Sequence, residues 1–191
     1  FSQGLHVGRV ATELFPNGQL IDLPHYEYDA KVAATQEALN GGALVVFEAS
    51  FKADNVFVAV DVLERNGEGF NLIEVKSTTS AKPEHIGDAA IQTHVLRQNG
   101  IEVRKAEIMH LSKDHRNPDV GELFERTEVT SDVEEFIPLV PEEINRQLEM
   151  LAGQLPDKAI GLHCFEPREC PFMGRCWPDV PNHINTLYNV G

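Results

Sequence analysis

The chain contains three short segments rich in β-branched and aromatic residues, which read "ALVVFEASF", "VFVAVDVLE" and "FNLIEVKS" between residues 43 and 77. The connections between them, "KADN" and "RNGEG", consist of residues that favour turns. In the second connection Asn66-Gly67 predicts a two-residue type I′ turn, because both residues tolerate the positive φ that this turn needs. We therefore expect consecutive strands joined by hairpins.

The rest of the chain carries helical patterns around these strands. Helices are predicted over residues 5–14, 29–39, 83–100 and 141–151, and "IEVRKAEIMHL" alternates as a further strand. The predicted order is α-α-β-β-β-α-β-α. This order indicates an α/β domain with a mixed central β-sheet flanked by helices. We expect a core over residues 1–155 and a tail over residues 156–191.

The predicted hairpin gathers three charged residues on one face of the sheet. The Asn66-Gly67 turn places Asp61 opposite Leu72 and Ala59 opposite Glu74. Because successive side chains alternate between faces, Asp61, Glu74 and Lys76 then share one face. The two carboxylates are expected to be diagonal neighbours, roughly 7–8 Å apart at the backbone.

This trio suits the hydrolysis of a phosphodiester. Two carboxylates can hold Mg²⁺ or Mn²⁺, which polarises the phosphate and acidifies a water. Lys76 can orient that water or balance charge, with a pKa that burial and a metal would lower. The alternative is an ordinary ion pair on a solvated sheet face. Leu63 and Leu72 argue against that alternative, because they are expected on the same face as the charges.

A helix that follows the hairpin points polar groups in one direction, at His85, Asp88 and Gln92. Asp61, then Glu74-Val75-Lys76, then Gln92 resembles the D…ExK…Q core of the PD-(D/E)xK nucleases in their RecB-like branch. This branch includes the CRISPR-associated RecB-like nucleases and the nuclease domain of the AddAB helicase-nuclease. The segments that are similar to bacterial RecB-family exonucleases read "FEASF", "VDVL", "LIEVKSTT", "IQTHVL", "GLHC" and "CPFMGRCW".

The resemblance implies a restriction-endonuclease-like core, with Asp61 and Glu74 as metal ligands and Lys76 as the catalytic lysine. Gln92 would stand beside them and position the lysine or the substrate strand. Relatives often place a metal-binding His in their first helix as G-x-x-x-H, whereas here Gly8 stands at that spacing. We expect Glu48 to supply the missing metal ligand. The alternative is a structural carboxylate on a strand.

A second departure concerns Leu96, which stands where relatives have the tyrosine of Q-x-x-x-Y. His94 is a candidate for the aromatic contact with substrate. The competing interpretation is a histidine on the helix surface.

The tail carries Cys164, Cys170 and Cys176 in the spacing C-x5-C-x5-C. Thiolates this close together suggest a metal or iron–sulfur site. The resemblance implies a [4Fe–4S] cluster whose fourth cysteine comes from near the N-terminus, and that cysteine is absent from this sequence. The tail would then pack back on the core. One alternative is a Zn²⁺ site formed by the three cysteines and His163. The other is that the three cysteines are ordinary thiols.

We therefore expect a metal-dependent DNA exonuclease acting on single strands or free ends, in repair, recombination or defence. The alternatives are an inactive nucleic-acid-binding or scaffold domain with the same fold, and a zinc-stabilised interaction module. A further domain or a helicase partner is also expected. Candidate phosphate contacts are Lys82, Arg97 and Lys105.

The charge and the cysteine pattern restrict the class of protein and the compartment that we expect. The net charge of −14 argues against a protein that coats DNA, although ten acidic residues cluster between positions 119 and 149 in what we expect to be a solvated surface. The cysteine pattern is not that of a secreted disulfide framework, which favours the cytoplasm. No apolar run is long enough for a membrane span. The first residue is Phe1 rather than Met, so we expect a fragment of a longer protein.

Overall fold

The computed structural model describes residues 2–114, 120–166 and 169–177. Its centre is a single mixed β-sheet of six strands in the order β1-β2-β3-β4-β5-β6. The strands are β1 Gln19–Leu20, β2 Val45–Ala53, β3 Val56–Asn66, β4 Gly69–Lys76, β5 Val103–Leu111 and β6 Phe124–Glu128.

Helices flank the sheet and connect its strands. The α-helices are α1 Ser2–Thr12, α2 Tyr28–Asn40, α3 Pro83–Gln98, α4 Val120–Leu123, α5 Thr130–Phe136, α6 Val140–Ala152 and α7 Met173–Cys176. Short 3-10 helices cover Ile137–Leu139 and Leu162–Cys164.

The sheet is mixed in direction. β1 runs parallel to β2 and β4 runs parallel to β5, whereas the other neighbouring pairs are antiparallel. A parallel pair needs a crossover connection, and α3 provides it between β4 and β5. The predicted α/β class, with a mixed central sheet flanked by helices, is confirmed, and the architecture is consistent with a restriction-endonuclease-like core.

The turn between β3 and β4 differs from the predicted one. Asn66 pairs with Gly69, so Gly67 and Glu68 form the two-residue loop, and Gly67 has a φ of 60°. The Asn66 side chain donates to Oδ1 of Asn71 at 2.9 Å, which holds Asn66 within the strand. The predicted Asn66-Gly67 loop was therefore wrong by one residue.

This correction changes which residues face each other across the hairpin. Leu63 pairs with Leu72, so the same ladder continued by two residues places Asp61 directly opposite Glu74. The predicted pairing of Asp61 with Leu72 was wrong. The predicted face was right, because the register differs by two residues and side chains repeat with a period of two.

The two faces of the sheet have different helical covers. On one face, α1 packs in a core cluster that contains Val7, Ala11, Phe15, Phe47, Val62, Ile73, Met109 and Phe124. Leu63, Leu72 and Glu74 alternate onto the opposite face, where α3 packs. The predicted charged face is therefore buried beneath α3 at Leu63, Leu72 and Glu74, whereas Asp61 and Lys76 are half-buried.

The described part of the acidic segment folds, although most of its acidic side chains are exposed. It contains strand β6 and helix α5, neither of which the sequence patterns predicted. Phe124, Val129 and Val133 are buried, and Arg97 of α3 forms an ion pair with Glu134 of α5. The few apolar residues between the acids are thus enough to pack the segment, while most of its described acidic side chains face solvent, as expected.

The chain divides into two compact units, Phe1–Arg146 and Gln147–Gly191. The first contains the whole sheet, and the second contains the three cysteines. The sequence patterns placed this division at residue 155. Among the described residues, the helices are too short or too polar to cross a membrane.

Candidate active site

A cavity of about 490 Å³ opens in the first unit between α1 and strands β2, β3 and β4. Four of the predicted site residues line it, namely Glu48, Asp61, Glu74 and Lys76. The fifth, Gln92, contacts Glu74 from α3. The fold thus brings all five predicted residues to one place, although their chemical roles stay predictions.

Asp61 lies half-buried on β3, and its carboxylate reaches the backbone of β4. Its Oδ2 accepts a hydrogen bond from the Val75 N–H at 2.7 Å. Burial raises the pKa of Asp61 well above its usual range, and the charge of Glu74 raises it further. Two acidic groups placed this close favour a proton or a cation between them.

Glu74 is only 8% exposed, and both of its carboxylate oxygens have partners. Lys76 Nζ lies 2.9 Å from Oε1, and Gln92 Nε2 donates to Oε2 at 2.7 Å. The other amide atom, Oε1 of Gln92, is buried and has no hydrogen-bond partner among the described residues. Gln92 therefore orients Glu74, and its carbonyl oxygen can still accept a hydrogen bond.

Lys76 is held between two carboxylates. Its Nζ contacts Glu74, and it also donates to Oδ2 of Asp88 at 2.7 Å. Burial by itself would lower the pKa of Lys76, but these two acids raise it above its usual value. The expected lowering is therefore absent in this arrangement, and Lys76 carries a positive charge at neutral pH.

Asp88 had no predicted role, although its position on the polar face of α3 marked it as a neighbour of the site. His85 lies on the same face, one turn earlier. Its Nδ1 accepts a hydrogen bond from the Lys82 backbone N–H at 3.2 Å. Burial lowers the pKa of His85, and the charge of Lys76 lowers it further.

Glu48 has an unusual backbone for a residue within a strand, with a φ of 56°. The β2–β3 pairing runs from Phe47–Val62 to Ala49–Val60, and Glu48 falls between these two pairs. Its carboxylate lies 3.7 Å from Nζ of Lys31 on α2. Glu48 thus faces the cavity from the side opposite to Glu74.

The carboxylates suit a divalent cation in their chemistry. Oxygen ligands are those that Mg²⁺ and Mn²⁺ prefer. The pKa of Asp61 is raised by burial first and then by the negative charge of Glu74, and a cation would balance that charge. Within the described ranges, no three His, Cys, Asp or Glu side chains lie close enough to form a metal cage. Binding with three protein ligands therefore requires side-chain rotation, and the two directly opposed acids are the better fit.

Helix α1 forms the remaining wall of the cavity. A Cβ added at Gly4 or Gly8 would meet no atom within 4 Å, so this wall is open where relatives were expected to carry a histidine. Arg9 also lines the cavity and is exposed. Of the ion pairs between described residues, none involves Arg9.

Leu96, at the tyrosine position of the Q-x-x-x-Y pattern, and His94, its proposed substitute, do not line the cavity. His94 is buried, and its Nε2 lies 3.1 Å from Oδ2 of Asp54 in the β2–β3 turn. Leu96 is fully buried in the core. The interpretation of His94 as a histidine on the helix surface was therefore wrong, because α3 packs against the β2–β3 turn at this point.

The second unit contains a separate cavity of about 610 Å³. Cys164, Cys170 and Cys176 line it together with His163, and all three cysteines are free thiols. The Cys170 N–H donates to the Cys164 carbonyl at 2.8 Å. The fold thus gathers the cysteines around one space, and whether they ligate iron–sulfur or zinc stays a prediction.

Comparison with known proteins gives distant likenesses of the fold. No family model and no curated protein matches the chain. It is similar in structure to an alkaline exonuclease from Laribacter hongkongensis, with 16% identity, a TM-score of 0.35, and coverage of 66% of this chain and 70% of that one. It is also similar to SSO0001, with 12% identity, a TM-score of 0.39, and coverage of 92% and 96%. Neither likeness is close enough to assign this chain to a family.

Proposed function

We propose that this protein is a metal-dependent nuclease that hydrolyses phosphodiester bonds in DNA, with Asp61, Glu74, Lys76 and Gln92 at its active site. The observation that carries the proposal is that the Asp61 carboxylate accepts a hydrogen bond from the Val75 N–H, next to Glu74, while Lys76 and Gln92 both contact the Glu74 carboxylate. A buried face with two acids, a lysine and an amide is costly unless these groups have a task.

The residues divide the work of hydrolysis among them. A water molecule attacks the phosphorus atom, and the bond from phosphorus to the leaving oxygen breaks. One product strand then ends in a phosphate and the other in a hydroxyl. Mg²⁺ or Mn²⁺, held by Asp61 and Glu74 and joined by Glu48 after rotation of its side chain, would polarise the scissile phosphate and acidify water. Lys76 is positively charged and donates to the phosphate oxygen on which charge develops.

Gln92 and Asp88 position the reacting groups. Gln92 holds Glu74 through its Nε2, which fixes the carboxylate plane. Asp88 holds the other side of the Lys76 ammonium. When a phosphate approaches, Lys76 exchanges one of these carboxylate contacts for the substrate.

The substrate is proposed to be DNA with a single strand or a free end. Arg9 supports a phosphodiester substrate, because it is an exposed cation beside the acidic site and has no ion-pair partner among the described residues. The phosphate contacts expected at Lys82, Arg97 and Lys105 have less support. Each forms an ion pair with a neighbouring carboxylate, and none lines this cavity.

The finer assignments rest on the resemblance in sequence. They are exonuclease rather than endonuclease action, a RecB-like affiliation, a place in DNA repair, recombination or defence, a cytoplasmic location, and a further domain or helicase as partner. A [4Fe–4S] cluster at Cys164, Cys170 and Cys176 belongs with them. The cavity that all three cysteines line gives it some support, although the thiols would have to move closer together to share a metal or cluster.

The proposal is tested with end-labelled linear and circular single-stranded DNA in Mn²⁺. The wild type should degrade the linear strand, leave the circle intact and stop when a chelator is added. Lys76→Ala should lose about 10²- to 10³-fold in rate, as expected when one charge-stabilising donor is removed. Lys52→Ala is the matched control, because Lys52 is an exposed lysine that pairs with Asp29 outside the cavity.

The outcomes separate the parts of the proposal. Cutting of the circle would remove the requirement for an end and keep the hydrolysis. Activity retained by Lys76→Ala would remove the mechanism. If the wild type cuts neither substrate yet binds DNA, the domain is a binding or scaffold module instead. That alternative has one observation in its favour, because Lys76 already has two carboxylate partners, as in a structural ion pair.

A further inference from the structure

Two exposed leucines line the cavity of the proposed active site. Leu5 of α1 is 73% exposed and Leu20 of β1 is 53% exposed. Single exposed leucines are ordinary on a protein surface, but these two share one cavity with Asp61 and Glu74. Apolar side chains around a few polar groups are typical of ligand-binding pockets. The leucines therefore favour a ligand that is apolar in one part and interacts with the acidic site in another.

The wall that α1 contributes differs in chemistry from the strands. Val7 and Ala11 pack into the core, whereas Leu5, Gly8 and Arg9 line the cavity. Spacings of three and four residues place these three on one face of the helix. Of the described residues of α1 that line the cavity, none is acidic, whereas the strands present three carboxylates to it. The two walls thus suit different parts of one ligand.

Arg9 supplies positive charge to the wall formed by α1. Its side chain is exposed, and none of the ion pairs between described residues involves it, although carboxylates line the same cavity. Lys76, by contrast, is held between two acids. Arg9 is therefore available to an incoming anion, and its planar guanidinium matches the oxygens of a phosphate.

The cavity has room for a nucleotide beside this wall. Its volume of about 490 Å³ lies within the range of roughly 300–1,000 Å³ that is typical of small-molecule pockets. A Cβ added at Gly8 would meet no atom within 4 Å, so the helix backbone itself is open to the cavity at this point.

We infer that Leu5 and Leu20 form a subsite for a nucleobase of the substrate strand, with Arg9 on the adjoining phosphate, an inference that rests on the proposed function. The face of a base is apolar enough to pack on leucine, and the phosphate beside it carries the charge that Arg9 balances. In a duplex these faces are stacked on neighbouring bases. The base subsite therefore requires an unstacked base, which a single strand provides.

Two linear single strands of equal length test the base subsite in Mn²⁺. One is oligo(dT), and the other has the same sugar–phosphate backbone built from abasic tetrahydrofuran units. The wild type should cut oligo(dT) with a kcat/KM about 10-fold higher, since small apolar contacts discriminate by 10-fold or more. The phosphates are the same in both strands, so this preference reports contacts with the bases.

Leucine variants test which side chains produce the preference. Leu5→Ala and Leu20→Ala should each lower kcat/KM for oligo(dT) about threefold, so that two additive losses account for the tenfold preference. Neither should change kcat/KM for the abasic strand. Leu44→Ala is the matched control, because Leu44 is 69% exposed and does not line this cavity. It should cut both strands as the wild type does.

Arg9→Gln tests the phosphate contact separately. It should lower kcat/KM for both strands by the same factor and reduce the dependence of binding on salt, because the lost contact does not involve a base. A loss confined to oligo(dT) would contradict the assignment of Arg9 to a phosphate.

Gly8→Leu separates a binding role of this wall from a structural one. The added Cβ has room, and leucine favours a helix more than glycine does, so thermal unfolding should occur at the wild-type temperature or above it. The larger side chain occupies part of the cavity and should remove most of the preference for oligo(dT). A stable variant that keeps the full preference would contradict a base subsite at this wall.

The failure of the base subsite is distinguishable from the failure of the proposed function. Equal cutting of the two strands by the wild type, or a full preference in both leucine variants, overturns the subsite and keeps the nuclease. A wild type that cuts neither strand removes the nuclease, and binding of the labelled strands in Ca²⁺, measured by fluorescence anisotropy, then decides the subsite. Tighter binding of oligo(dT) that both leucine variants weaken supports it, and equal binding of the two strands overturns it.

Discussion

The two sides of the cavity present a carboxylate in opposite ways. On the β4 side, Glu74 extends from a regular strand and is held through both oxygens by Lys76 and Gln92. On the β2 side, Glu48 extends from a left-handed backbone and is held by Lys31 at 3.7 Å. Asp61, between them on β3, has its pKa raised by burial and then more by Glu74 than by Glu48.

The two sides show two ways in which a β-sheet can position carboxylates around a cavity. The β4 side uses the alternation of the strand, so the side chain points to the correct face without backbone strain. The β2 side uses a departure from the strand, which costs conformational energy and therefore needs buried support from α2. The β4 side is expected to be the more rigid of the two. Three experiments test this difference between the sides.

The largest expected effect concerns Gln92. Gln92→Ala removes the donor to Glu74 Oε2 and should weaken Mn²⁺ binding about 10- to 100-fold, as is typical for residues that orient metal ligands. Gln98→Ala is the control, because Gln98 lies exposed in the last turn of the same helix. Calorimetric titration with Mn²⁺ measures both. Unchanged affinity in Gln92→Ala would show that the β4 side does not depend on α3.

The second experiment follows the stability of the metal-free protein with pH. A carboxyl whose pKa is raised by folding stabilises the fold when it is protonated, and this contribution is lost as pH rises through the raised pKa. Each unit of that shift corresponds to about 1.4 kcal/mol. Denaturant unfolding in chelator should therefore show the wild type losing stability relative to Asp61→Asn as pH rises from acidic to neutral, because Glu128 and Glu134, whose pKa values are lowered, contribute equally to both proteins.

The same measurement compares the two sides of the cavity. Glu74→Gln should flatten the pH dependence more than Glu48→Gln, since Glu74 has the larger effect on the pKa of Asp61. An equal or reversed order would contradict the contrast between the sides. A slope that survives in Asp61→Asn would assign the pH dependence to another group.

The smallest expected effect, about 1 kcal/mol, concerns the backbone alone. At position 48 the Gly variant should be more stable than the Ala variant, because a left-handed conformation costs an L-residue about 1–2 kcal/mol. At position 74 the order should reverse, because Gly within a regular strand costs roughly 0.5–1 kcal/mol relative to Ala. The carboxylate is absent from all four variants, so its loss cancels within each pair. Denaturant unfolding that ranks Ala above Gly at both positions would refute the strained backbone.

Much of the fold was predictable because its signals are local. Alternation of apolar residues predicted β2, β3, β4 and β5, and helical spacing predicted α1, α2, α3 and α6. The strands that were missed are short, and β6 lies among acidic residues whose charge hid its few apolar positions. The hairpin loop was displaced by one residue, since the Asn66–Asn71 hydrogen bond that holds Asn66 in its strand joins side chains of two strands.

The candidate site was also predictable in part from the sequence. Asp61, Glu74 and Lys76 were assigned to one face correctly because period-two alternation survives a shift of two residues. The approach of Gln92 to Glu74 was predictable from the polar face of α3. The ion pairs of Asp88 with Lys76 and of Lys31 with Glu48 were not, since each joins segments whose contact depends on packing.

The sequence by itself determined which residue types share the charged face, because side-chain direction along a strand follows from the backbone of that strand. Tertiary packing sets the position of Asp61 beside Glu74, the positive charge of Lys76 between two acids, and the departure of Glu48 from the regular strand. These features depend on register, burial and contacts between distant segments. Their energies exist only once those segments have packed together.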